Sequence, residues 1–142
     1  MADYSYMFVQ PQECGYMRDS DLHTGASDPV TDTVAAVGDV MFNPGGELLT
    51  LDIAYTKGTE TGMYLYVSFF ETEAAAVAFR APRPMDIGGG TLVAFDEEIR
   101  IDASTNYSIP INVKGKKFYQ VFQVKVGGTV SGTFTLHQTL KR

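Results

Sequence analysis

Period-two alternation recurs along this chain, each time bounded by turn-forming residues, and it narrows the open folds more than any other feature. In ELLTLDIAY (47–55), Leu49, Leu51, Ile53 and Tyr55 alternate with Leu48, Thr50, Asp52 and Ala54. Successive strand residues point to opposite faces, so this pattern predicts a strand with one face buried. MYLYVSFFE (63–71) sets Met63, Leu65, Val67 and Phe69 against Tyr64, Tyr66, Ser68 and Phe70. It is apolar on both faces, as in a central strand or one whose aromatic outer face is covered. Tyr107, Ile109, Ile111 and Val113 alternate again, and Pro110 among them points to an edge strand or an outward N position. FYQVFQVKV (118–126) and TVSGTFTLHQTL (129–140) read as two further strands, the latter with Phe134 and Leu136 facing one way and Thr133, Thr135, His137 and Thr139 the other. Turns separate them at Asn43-Pro44-Gly45-Gly46, Lys57–Gly62, Lys114-Gly115-Lys116-Lys117 and Gly127-Gly128.

Shorter strands are expected over 34–42, 91–95 and 97–101. The stretch ETEAAAVAF (71–79) is ambiguous. Its three alanines suit a short helix, but Pro82 and Pro84 close it, and we read it as a loop plus a short strand. Seven to nine short strands with regular turns predict an all-β chain, an antiparallel β-sandwich of jelly-roll or immunoglobulin-like type. The 142 residues suit a single domain. We place that domain at 34–142, preceded by an extended N-terminal arm or loop segment at 1–33. Tyr4, Tyr6 and Phe8 alternate there, and a polar, turn-rich stretch follows Pro11. A lone strand is unstable in water, so this segment must pair with a sheet edge, its own or a neighbour's.

Charge divides the chain. Residues 1–32 carry six acids against Arg18, whereas residues 103–142 carry six cations (Lys114, Lys116, Lys117, Lys125, Lys141 and Arg142) and no acid. Ends of opposite sign tend to meet, within a subunit or between neighbours. The overall net charge of −6 argues against a nucleic-acid binder, although Lys114, Lys116 and Lys117 stand beside Phe118 and Tyr119. No stretch approaches a membrane-spanning length of about 18 apolar residues, and no basic, apolar secretory start is present. The chain is expected to stay in the cytoplasm or to assemble there.

Candidate chemistry is sparse. Cys14 is the only cysteine, so no disulfide within the chain and no thiolate cage can form. It has neither His23 nor His137 at a telling spacing, which argues against a catalytic thiol. Asp19, Asp21 and His23 would share a face in a strand, but the order DSDLH fits no calcium loop, and a solvated acidic loop is the plainer reading. Asp96, Glu97 and Glu98 are adjacent, so they point to alternating faces rather than forming a carboxylate pair. Gly88-Gly89-Gly90 lacks the Lys-Ser/Thr of a phosphate loop. No catalytic, cofactor-binding or metal residue is assigned, and no enzyme activity is expected.

LTLDIAYTKGTETGMYLYVSFFE (49–71) resembles small structural proteins of tailed bacteriophages, in which an alternating strand ending in Tyr enters a Lys-Gly-x-Glu-Thr loop and a second alternating strand. YSIPINVKGKKFYQVFQVKVGGTVSGTFTL (107–136) looks like the closing portion of such proteins. The resemblance implies a non-enzymatic β-sandwich in the virion, above all a capsid decoration or cement protein on the major capsid protein, or else a head–tail connector or tail component. It implies contacts with other virion proteins or neighbouring copies as a multi-copy assembly, with no cofactor, nucleic acid or membrane. Tyr4, Tyr6, Phe8, Lys114, Lys116 and Lys117 are the expected assembly contacts. Aromatic outer strand faces keep a carbohydrate-binding module as a second class, although sugar stacking usually enlists Trp, which is absent.

Overall fold

A computed structural model describes residues 16–80 and 96–142. In chain order these form β1 (Tyr16–Asp21), β2 (Asp28–Pro29), β3 (Ala35–Phe42), β4 (Leu48–Thr56), β5 (Met63–Phe70), α1 (Glu73–Arg80), β6 (Glu97–Ile101), β7 (Thr105–Asn112), β8 (Phe118–Lys125) and β9 (Thr133–Lys141). One sheet runs β1-β9-β4-β7, with β2 added against β9, and the other runs β3-β8-β5-β6.

The pairing identifies the topology. Leaving out the two-residue β2, β1 pairs with β9, β3 with β8, β4 with β7 and β5 with β6, all antiparallel. The chain is doubled into one long hairpin and then wrapped, so that β9 also meets β4 and β8 meets β5. This is a jelly roll rather than an immunoglobulin sandwich. The all-β antiparallel expectation holds.

Alternation gives the core its two halves. Leu49, Leu51, Ile53 and Tyr55 of β4, with Phe134, Leu136 and Leu140 of β9, face Met63, Leu65 and Val67 of β5 and Tyr119 and Val121 of β8. Pro110 sits on β7, which among the described residues pairs with β4 alone and is an edge strand, where a proline is tolerated. β5 is central in its sheet, and α1, whose Ala76 is fully buried, lies against β5, β8 and β3.

Two segments depart from expectation. The stretch 71–79 is helical from Glu73 rather than a loop plus strand. Thr72 caps it, its hydroxyl accepting from Ala75 N–H at 3.1 Å, and Glu73 places a carboxylate in the first turn. The domain boundary at 33/34 also falls inside this architecture. From Tyr16 onward the arm segment is built into the sheet, with β1 and β2 on β9 and Leu22 and Val30 in the core. Residues 1–15, including Tyr4, Tyr6, Phe8 and Cys14, lie outside the described residues, as do the expected 91–95 strand and Gly88-Gly89-Gly90.

Candidate functional site

The oppositely charged ends do meet within one subunit. On the outer face of the β1-β9-β4-β7 sheet, the register lines up Asp21, His137, Asp52 and Ser108 in one row across four strands. His137 Nδ1 lies 2.6 Å from Asp21 Oδ1, and Nε2 makes a short contact with Asp19 Oδ1. Both ring nitrogens face carboxylates, which favours the imidazolium. Hydrogen bonds donated to Asp21 and then to Asp19 hold His137 above its usual range against the opposing effect of burial. The same His137 bond depresses Asp21. Asp32 completes the meeting of the two ends through Lys125 Nζ at 2.8 Å.

Next in the row, Ser108 Oγ donates to Asp52. The order is therefore Ser–Asp and His–(Asp)₂, not the Ser–His–Asp relay of a hydrolase, because His137 has no nitrogen left to act as base toward Ser108. Asp52, Asn106, Tyr107, Ser108, Thr135 and His137 line a shallow depression of about 330 Å³. Tyr107 is half exposed at its edge strand. The arrangement can offer hydrogen bonds to a polar ligand, but it provides no activated nucleophile.

The ring of His23 is engaged by the backbone of β9. In the gap between β1 and β2, Leu136 N–H finds no strand carbonyl and donates instead to His23 Nδ1 at 3.0 Å. The same nitrogen lies 3.1 Å from the Leu136 carbonyl, and Nε2 lies 3.9 Å from Asp21 Oδ2. Among the described residues no group of three or more side chains is placed to hold a metal. Asp96 accepts Phe69 N–H at 2.7 Å, and Glu97 and Glu98 stand opposite Val67 and Tyr66 on alternating faces.

Several buried polar residues do structural work that the sequence did not announce. Glu60 is 1% exposed. Its Oε2 accepts from Tyr55 Oη at 2.7 Å and Gly58 N–H at 2.9 Å, and its Oε1 from Ser131 and Gly132 N–H, each at 2.9 Å. Burial alone would raise its pKa, but these donors overcome that and hold it at about 2. Asn43 ties the other end: Nδ2 donates to the carbonyls of Gly46, Val113 and Lys116, and Oδ1 accepts from Gly46 N–H. Between the sheets, Tyr119 Oη donates to Gln138 Oε1 at 2.5 Å and accepts from Arg18 Nη1 at 3.0 Å. Asn43 stood inside a recognised turn and Glu60 inside a recognised loop, but nothing local showed their burial.

Lys114, Lys116 and Lys117 occupy the β7–β8 turn, all exposed. Lys116 Nζ lies 5.3 Å from the Phe69 ring centroid. Among the described residues the three lysines do not pair with the acidic N-terminal segment. Phe118 is half-buried and Tyr119 fully buried, so Tyr119 offers no stacking platform. No protein family, curated protein or solved structure matches this chain.

Proposed function

We propose that this chain is a non-enzymatic structural protein of a tailed-bacteriophage virion, chiefly a capsid decoration or cement protein that binds the major capsid protein. The observation that carries this reading is the Glu60 carboxylate. The two stretches that resemble phage structural proteins, 49–71 and 107–136, are distant in sequence, yet Glu60 of the first accepts the Ser131 and Gly132 N–H groups of the second. The loop and hairpin of the resemblance thus form one keyed unit. A sandwich stitched at both ends by buried polar pins suits a protein that must be rigid when it binds. The jelly roll is also used by capsid proteins, a likeness of fold that lends support by analogy only.

The reading expects a multi-copy assembly in the virion, put together in the host cytoplasm, with a head–tail connector or tail role as its nearest variant. Purified protein should co-sediment with shells of the major capsid protein encoded beside its gene. Absence of such a neighbouring gene, together with no binding to tailed-phage shells at saturating protein, would remove the reading. Jelly rolls also serve lectins, and the polar depression beside half-exposed Tyr107 favours a carbohydrate-binding module as the second reading. A glycan array returning a saccharide whose binding is lost in Asp52→Ala would select it over the first.

A further inference from the structure

We propose that the end of the sandwich bearing Phe42 is a docking surface for an acidic protein segment that carries an apolar side chain between its carboxylates. Phe42 closes β3 and is 53% exposed. It is also held in place. Its ring packs on Phe118 with centroids 5.4 Å apart, and its carbonyl accepts from Arg18 Nη2 at 2.9 Å. An anchor already fixed in the free protein loses little freedom on binding.

The cations come to Phe42 through the Asn43 pin. Asn43 N–H donates to the Lys117 carbonyl and its side chain to the Lys116 carbonyl, both at 2.8 Å, which fixes the β7–β8 turn beside the end of β3. Arg142 reaches the same end, alongside Gly45. Lys114, Lys117 and Arg142 have no carboxylate within ion-pair distance among the described residues, whereas Arg100 and Lys125 each have one and His137 has two. An anchored aromatic at the same end of the sandwich as three cations without a carboxylate partner is complementary to an apolar group flanked by carboxylates.

Other polyanions and a second copy fit less well. A single-stranded nucleic acid needs successive aromatic platforms, and here one exposed ring already leans on Phe118. Asp32 and Asp102 at the opposite end of the sandwich, and Asp21 on the outer sheet face, are occupied by Lys125, Arg100 and His137. A head-to-tail copy that used these three would have to break its own ion pairs. The partner's identity as a virion protein rests on the function proposed above, but the chemistry of the surface does not.

The test is an NMR titration of the full chain at low salt with two synthetic peptides rich in Glu and Asp, one with a central Leu and one with Ser in its place, and with oligothymidylate. The Leu peptide is expected to shift the amides of residues 42–47 and 113–118. Phe42→Ser should weaken it about tenfold or more, as for an anchor residue. Exchanging Lys114, Lys117 and Arg142 for Gln should flatten its salt dependence. Equal binding of oligothymidylate, shifts elsewhere or none, or self-association lost in Phe42→Ser would overturn the proposal. Capsid shells separate the two ideas. Shells that bind wild type and Phe42→Ser alike leave the assembly role standing and remove this surface. Shells that bind neither remove the assembly role, while the peptide titration still decides the surface.

Discussion

Glu60 shows how one side chain can hold two loops. Its two oxygens accept four hydrogen bonds and donate none. Glu60→Gln keeps the shape but turns one acceptor into a donor facing N–H or O–H groups. It should cost on the order of 2–4 kcal/mol, read as a lower urea midpoint. The carboxylate sits below its ordinary 4.5, so its contribution is complete above that pH and is lost as pH falls toward about 2. Acid titration of wild type should show a loss on the order of 2–3 kcal/mol in that window, and the Gln variant should lack it. His137 behaves in the opposite sense. Held above 6.5, it stabilises fully below that value and its contribution fades as pH rises through the raised pKa. Asp21, held below 3.8, contributes above that value and loses its contribution on acidification. The clamp is therefore complete between these limits, and His137→Gln should flatten the alkaline side of the stability profile.

Among the elements, β1 and α1 were the two that local reading placed least well, for different reasons. β1 puts Arg18 and Ser20 at inward positions, where hydrophobic alternation expects apolar residues. They are tolerated because Arg18 donates to Tyr119 and Phe42, and Ser20 accepts from Gln138. All three partners lie far along the chain, so the strand is invisible until the sheets are assembled. Removing residues 1–12 spares every described strand and should leave cooperative unfolding intact. Removing 1–22 should uncover β9 and take away Leu22, giving a broadened or absent thermal transition. α1 follows from its cap and alanines once the chain leaves β5. Thr72→Ala should cost about 1 kcal/mol and appear as faster hydrogen exchange confined to the helix.

For the whole molecule, the charge division operates mainly inside the subunit. Asp32–Lys125 and the His137 clamp join the acidic head to the basic tail, while the β7–β8 turn keeps its lysines exposed. Exposed pairs are individually worth about 0–1 kcal/mol, so core stability should barely change as salt rises from ~0.05 to ~0.5 M. Association with the partner should slow over the same range, and changing Lys114, Lys116 and Lys117 together to Gln should remove much of that dependence. An unaltered salt slope in that variant would mean the contact is apolar.

Strand identity was legible in β4, β5, β7 and β9 because alternation is a local property: each residue's polarity announces its own face. Turn chemistry likewise marked where those strands end. The pairing order was not legible, because jelly-roll and immunoglobulin wrappings use the same alternating strands and differ only in which distant edges meet. The same holds for the candidate sites. Lys114, Lys116 and Lys117 could be named from the sequence, but their nearness to Phe42 depends on Asn43 reaching carbonyls some 70 residues away. The capacity for a β-sandwich was written in local pattern. Which polar residues would be buried, and which cations left without partners, was decided by long-range pairing, since only the folded sheets determine what each side chain meets.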